Sequence, residues 1–409
     1  MTWVQWVAVA ALVLAVAGVV IGAIAWHGVR TRTPSFASEG HEPDGSRTGP
    51  PAVVVNPSKA VDVDELRRLI EQSAAEAGLG NPMWFETTVE DPGLGQARKA
   101  LEQGASVVVA AGGDGTMRAV AEALAGTEVP MGIVPLGTGN LLARNLDVAI
   151  GSLRETVATA LTGRDRAMDL GWLRTEPLSA EDEEKVRGRA DASTARSAER
   201  TESGEAADAR DLDSAVPGYG MDEVPVPTTD PDKEHVFLVI GGLGFDAAMV
   251  SGADDELKAK LGWLAYFVAG VQHLTGRKIH ATAELGESGP SEPFSARTIL
   301  FANCGRLPGG VVLFPDAQLD DGWLDIAVLD TKGGLIGWAD LLRKVTLQGL
   351  GVRKDRMPYT TGSIEFRRAG SVVVRTEEPE HVQVDGDLVG YATTIHARVE
   401  KSGLVVRTP

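Results

Sequence analysis

Gly112-Gly113-Asp114-Gly115-Thr116 is the stretch of this 409-residue sequence whose residue types best suit a phosphate. It stands between an apolar run and a helical pattern, where free backbone N–H groups and the positive end of a helix dipole attract anions. Its glycines let the backbone approach a ligand without Cβ clashes. Asp114 would repel a bare phosphate, so it points to a ribose hydroxyl, a water, a magnesium shell or a catalytic role. A second loop of the same logic, Pro135-Leu136-Gly137-Thr138-Gly139-Asn140, follows one βα unit later. Asn56-Pro57-Ser58-Lys59 closes an earlier strand in the same way. Each loop alone reads as a connection. Three in one parallel sheet converge at its carboxyl edge, where such sheets bind ligands.

Two acidic groups lie further along. Residues Pro315 to Asp325 place Asp316, Asp320, Asp321 and Asp325 around a turn that enters a strand. Hard oxygen donors of this kind suit Mg²⁺, while Asp-Gly also makes ordinary hairpin turns, which spacing alone favours. Val382-Gln383-Val384-Asp385-Gly386-Asp387 again runs from a strand into Asp-Gly and by itself reads as a hairpin. No G-x-x-x-x-G-K-[ST] motif occurs, which excludes a Walker-type ATPase. Gly242-Leu243-Gly244-Phe245-Asp246-Ala247 fits the dinucleotide pattern, but no βαβ unit supports it, so it reads as a decoy. Seven scattered histidines and the single Cys304 offer no transition-metal cluster and no intrachain disulfide.

The elements that must position these loops alternate. Strands are predicted at Ala52–Val55, Trp84–Thr88, Ser106–Ala110 and Met131–Val134, with helices over Asp62–Ala77, through Leu101, over Met117–Leu124 and over Asn140–Leu146. Asp62 is the expected N-cap of the first helix. Such alternation predicts a parallel sheet covered by helices. From His235 strands dominate, at Val236–Ile240, Ile279–Glu284, Thr298–Ala302, Trp323–Leu329, Ser371–Arg375, Val382–Val384 and Ile395–Glu400, with one helix over Gly262–Leu274. That half reads as an antiparallel β domain.

Residues Trp3 to Trp26 are almost wholly apolar, with tryptophans near both ends and Arg30 and Arg32 after the run. This predicts a single N-terminal transmembrane helix, with the C-terminal part in the cytoplasm; the competing reading is a cleaved signal peptide. A Ser/Thr/Pro/Gly-rich tether follows. Between Thr175 and Glu234 stand 17 acidic and 7 basic side chains and few large hydrophobes, the composition of a disordered insertion. The whole chain carries a formal charge of −18, which argues against broad nucleic-acid binding.

In this order, the Asn-Pro loop, Thr87-Thr88, Gly112–Thr116, Gly137-Thr138-Gly139-Asn140, Gly244-Phe245-Asp246, Asp320–Asp325 and Asp385-Gly386-Asp387 resemble the diacylglycerol kinase catalytic-domain family, the lipid kinases that include sphingosine and bacterial diacylglycerol kinases. The resemblance covers about Ala52–Arg174 and His235 onward. It implies an α/β nucleotide-binding domain at 52–165 and an antiparallel β-sandwich domain at 166–409; the anchor at 1–29, the tether at 30–51 and the insertion at 175–234 lie outside it. The last strand is free to return to the first domain.

The resemblance further implies ATP and Mg²⁺ as cofactors. ATP contacts would come from Asn56, Pro57, Ser58, Lys59, Thr88, Gly112, Gly113, Asp114, Gly115, Thr116, Thr138 and Asn140. Asp321, with backbone carbonyls of Gln318 and Trp323, would hold a structural Mg²⁺. Asp387 stands where bacterial members carry a general base, usually a glutamate, and Asp114 would join it in catalysis. Two departures are the shorter Asp387 and Lys59-Ala60, where a glycine often follows the Asn-Pro turn. The expected activity is phosphorylation of diacylglycerol to phosphatidic acid at the cytoplasmic face of a membrane. The expected partners are a diacylglycerol-like lipid and the membrane, with a homodimer allowed. Rival readings are a kinase for a long-chain base or ceramide, an NAD kinase, and a non-catalytic membrane-tethered protein of the same fold.

Overall fold

The computed structural model describes residues 36, 48–59, 62–189, 233–244, 278–286, 289–306, 312–331 and 362–409. Within the first half, β1 (Pro51–Val55), β2 (Met83–Glu86), β3 (Val107–Gly112) and β4 (Met131–Pro135) form a parallel sheet in the order β2-β1-β3-β4. Its helices are α1 (Val63–Glu76), α2 (Leu94–Glu102), α3 (Asp114–Leu124), the short α4 (Leu141–Asn145) and α5 (Leu153–Thr162). Strand residues alternate faces. Val53, Val55, Val107 and Val109 meet α1 and α5 through Leu66, Ile70, Val157 and Leu161. Ala52, Val54, Val108 and Ala110 meet α2 and α3 through Ala97, Met117, Val120 and Leu124. Each such Leu or Ile, fully buried, contributes about 1.5–3 kcal/mol. Asp62 caps α1 by accepting the Glu65 amide at 2.8 Å, which fixes where that helix begins.

The second half is a β-sandwich made by one sheet folding over itself. Its strands are β5 (Arg164–Thr175), β6 (His235–Phe237), β7 (Ile240–Leu243), β8 (Ile279–Leu285), β9 (Ser291–Ala296), β10 (Thr298–Ala302), β11 (Leu324–Thr331), β12 (Gly362–Ala369), β13 (Ser371–Val384) and β14 (Asp387–Thr408). The first part of β13 pairs with β8 and its last residues with β7, with a register break between Arg375 and Glu380. One long strand thereby serves both layers. The enclosed core gathers Phe237, Leu243, Ile279, Ile299, Phe301, Ile326, Val374, Val384 and Ile395. β14 pairs with β13 and β5, and its Val406 lies parallel to Met131 of β4, so a single sheet of 14 strands runs through the molecule.

Several expectations change. Among the described residues no helix is long and apolar enough to cross a membrane. The 14-residue α1 spans only about 21 Å, short of a bilayer's hydrocarbon core of about 30 Å. The α/β and β-sandwich parts of the expected architecture fit, but the transmembrane helix and the membrane localisation that depended on it are corrected: the described fold contains neither. The run Trp3–Trp26 that suggested them lies outside the described residues, as do most of the tether, the helix expected at Gly262–Leu274 and residues 190–232 of the acidic insertion. The start of that insertion is structured. Residues 180–189 are helical, Val186 is buried, and Arg189 bonds the Pro379 carbonyl and the Glu378 carboxylate, each at 2.8 Å. Gly242 ends in β7, where a Cβ would strike the Ile299 carbonyl oxygen at 2.5 Å, so close strand packing explains this glycine.

Candidate active site

The order β2-β1-β3-β4 places the topological switch between β1 and β3, because the chain leaves β1 for one side and returns on the other. Ligand crevices form outside the carboxyl ends of strands at such a point. The loops carrying Asn56, Thr88, Asp114 and Thr138 follow β1, β2, β3 and β4 in turn, so all four open onto one edge. Backbone bonds lace them together. The Asn56 amide donates to the Ala111 carbonyl at 2.9 Å, Thr87 to Val55 at 2.9 Å and Leu136 to Gly112 at 2.8 Å.

Within that edge the expected residues divide into two groups. Pro57, Ser58, Lys59, Thr88 and Thr138 are exposed, and Asn56, Gly113 and Gly115 are half-buried. These can reach a ligand. Asn56 Oδ1 accepts from both the Ser58 amide at 3.0 Å and the Ser58 hydroxyl at 2.7 Å, which shapes the first turn. The other group faces inward. Gly112 is buried, and a Cβ there would meet the buried Thr116 side chain at 2.7 Å. Asn140 is buried and left-handed at φ 49°. Its carboxamide accepts from the Gly137 amide at 3.1 Å and donates to the Gly137 carbonyl at 2.7 Å, so it holds its own loop in shape.

Asp114 is a bracket between the two glycine loops. Its Oδ1 accepts the Leu141 amide at the start of α4 at 2.7 Å. Burial raises its pKa, opposed chiefly by the Leu141 amide, with the nearby Asp385 charge adding to the rise. The loops themselves touch at glycines: a Cβ on Gly137 would stand 2.8 Å from the Gly113 Cα. Gly113, the N-cap of α3, supplies no side-chain cap, which leaves first-turn amides of that helix available to an anion.

The β-sandwich contributes its Asp-Gly turn to the same place. Asp385 (φ 48°) and Gly386 (φ 92°) are both left-handed and bring Asp387 to the first position of β14. Asp385 is turned inward. Its carboxylate accepts the amides of Leu238, Val239 and Ile240 at 2.8, 2.9 and 3.0 Å. Burial raises its pKa; Arg118 and those three amides oppose the rise. Asp387 is turned outward, with Oδ2 3.8 Å from where a Gly115 Cβ would stand. Arg118 of α3 donates to Asp387 Oδ2 and to the Val384 carbonyl, each at 2.5 Å. Asn145 adds a second clip between the domains, donating to the Arg306 carbonyl at 2.8 Å and accepting its amide at 3.0 Å.

The acidic turn is held by an arginine. Asp321 Oδ1 accepts the Trp323 amide at 3.1 Å, and Oδ2 is ion-paired with Arg368 of β12. Arg368 also reaches Asp325, its cross-strand partner, at 3.2 Å. Burial pushes the Asp325 pKa up to about 6 against the pull of Arg368, with Asp321 and Asp316 adding to the rise. Asp169 braces the same turn from β5, accepting the amides of Gly322 at 2.6 Å and Ser402 at 2.8 Å. Among the described residues no group of three acidic, histidine or cysteine side chains is arranged to hold a metal ion. Of the expected Mg²⁺ set of Gln318, Asp321 and Trp323, the Asp321 carboxylate is ion-paired with Arg368.

Comparison with known proteins accords with this geometry. Residues 50–173 match the family model described as the diacylglycerol kinase catalytic domain, and residues 240–406 match the YegS C-terminal NAD kinase beta sandwich-like domain. The first half of the chain is thus a diacylglycerol kinase catalytic domain. A protein of Pseudomonas aeruginosa named "Probable lipid kinase YegS-like" is 28% identical over 273 residues, covering 64% of this chain and 68% of that one. An uncharacterized Synechocystis protein is 27% identical over 290 residues, 70% of this chain. This chain matches about half (52%) of that relative's length. A diacylglycerol kinase from Bacillus anthracis superposes with a TM-score of 0.59 at 17% identity, covering 90% of this chain and 99% of its own, which establishes a shared fold.

Arg118, Asp169, Asn145 and Arg368 were not among the residues the sequence singled out. One signal existed for Arg118. It is a lone arginine in the otherwise apolar run Met117–Ala121, one helical turn after Asp114.

Proposed function

We propose that this protein is an ATP-dependent lipid kinase that phosphorylates diacylglycerol to phosphatidic acid. The observation that carries the reading is the convergence of four strand-end loops with Asp387 over the first turn of α3. The triphosphate lies along the glycine loops, held by amides and by the exposed hydroxyls of Ser58, Thr88 and Thr138. Any divalent ion enters with the triphosphate as substrate and offsets its charge.

Asp387 Oδ1 has no bonding partner among the described residues and acts as general base. It accepts the proton of the lipid hydroxyl as that oxygen bonds to the γ-phosphorus. The bond from phosphorus to the β–γ bridging oxygen breaks, and ADP leaves. Asp114 serves this step indirectly by holding both glycine loops at one spacing.

The deciding experiment gives the purified chain labelled ATP with separate micelles of diacylglycerol, a long-chain base and ceramide, and with soluble NAD. Label in phosphatidic acid is the expected result. Label in NAD and in no lipid would overturn the reading, and label in ceramide or the long-chain base would move the substrate within the lipid class.

A further inference from the structure

We propose that Arg118 is a positioning residue for phosphoryl transfer: planted on the phosphate-loop helix, it reaches across the domain boundary and aims the Asp387 carboxylate. This rests on Asp387 acting as base. The Asp387 side chain is 59% exposed and that of Arg118 only 19%. A free exposed carboxylate moves among rotamers in water, whereas a base must stay within hydrogen-bond reach of the proton it takes.

The guanidinium fork supplies the constraint. One nitrogen holds Asp387 Oδ2 and the other the Val384 carbonyl, the two residues that flank the Asp385-Gly386 turn. A planar group bonded on both sides of a turn fixes its width as well as the carboxylate's direction. With Oδ2 occupied, the remaining oxygen is the one left to face an acceptor. Because Arg118 stands in the same helix whose first turn borders the phosphate loop, the base is indexed to the phosphate rather than only to its own strand. Arg118 also acts on the half-buried Asp385 through its charge, so it addresses the whole turn.

A clamp that merely joins the domains would make the same contacts, and a double-mutant cycle separates the two roles. Steady-state transfer from ATP to diacylglycerol micelles is measured for the full chain and for Arg118→Gln, Arg118→Lys, Asp387→Asn and the Arg118→Gln/Asp387→Asn pair. Misplacement of about 1 Å can cost a hundredfold in rate, so Arg118→Gln should lower kcat roughly 10- to 100-fold. It should leave KM for ATP within about twofold, since ground-state binding is untouched. Arg118→Lys should recover part of the loss, and it keeps the test alive if the glutamine variant melts early. In the Asp387→Asn background, Arg118→Gln should cost no more than about twofold further, because a lost base needs no aiming.

A kcat for Arg118→Gln within about threefold of wild type would overturn the proposal, as would full additivity of the two losses. Wild-type protein that transfers to neither lipid nor NAD would overturn the kinase reading itself, and this proposal with it. That outcome is read from the wild-type control alone, so the two failures are distinct.

Discussion

At each of the two Asp-Gly turns of the β-sandwich a carboxylate gathers backbone amides: half-buried Asp385 takes those of Leu238, Val239 and Ile240, and Asp169, buried in β5, those of Gly322 and Ser402. In each, an outer aspartate meets an arginine from another element, Asp387 with Arg118 and Asp321 with Arg368. What remains afterwards differs. Asp387 keeps one oxygen without a partner among the described residues, and its arginine stands in the helix that follows the Gly112–Thr116 loop. Asp321 has both oxygens committed, and its arginine comes from the strand next door. Clustered carboxylates around a turn do not by themselves distinguish a working group from a brace. The cation that answers them does.

That contrast can be broken first at the outer aspartates. Asp387→Asn should lower kcat by roughly 10²–10⁴, the usual contribution of a general base. Asp321→Asn should cost at least about tenfold less; equal losses in the same assay would erase the distinction. The inner aspartates come next and test the shared plan. Removing such an acceptor strands its amides, so Asp385→Ala should lose about 3 kcal/mol and Asp169→Ala about 2 kcal/mol in urea unfolding, the order following three amides against two.

A smaller effect concerns pH. Burial raises both inner carboxyls above the ordinary value of 3.8. The folded protein therefore holds these protons to higher pH than the unfolded chain, and each group withdraws stability as pH rises through that window. Asp385→Asn lacks this titration, so its stability deficit relative to wild type should narrow as pH is raised above about 4. A deficit that widens would contradict the raised values. The last test is Arg368→Gln, which takes the cation from the nearly buried Asp321 and Asp325 and, with the guanidinium itself partly exposed, should cost about 1–2 kcal/mol, read as a shift of the urea midpoint.

The parallel-sheet edge was largely legible in the sequence. Its strands are short apolar runs that stop at Asn-Pro or glycine, and each stop is itself the loop. α1 announces its start with Asp62, and the buried faces of β1 and β3 follow from alternation alone. The braces were not legible, because their partners are far apart in the chain. Asp169 lies 153 residues from Gly322 and Arg118 lies 269 from Asp387. β5 escaped notice because charged residues interrupt its alternation at Arg164, Asp165 and Arg166, where pairing with the end of β14 rather than apolar pattern defines the strand. A carboxylate in a glycine loop reads as a ligand residue, and the position of α4 adds what the sequence does not show, the amide that Asp114 holds.

β14 begins at Asp387 and carries Val406 to the side of β4, about 60 Å of extended chain belonging to both halves of the molecule. It works as a tie-rod. Cutting the chain near residue 173 would strip β4 of its outer neighbour, paired at Val406 and Met131, and leave that edge open to adventitious strand pairing. The two halves are thus recognisable by sequence yet tied by one strand, whose pairing with β5 shifts register between Glu400 and Leu404, where Ser402 turns left-handed.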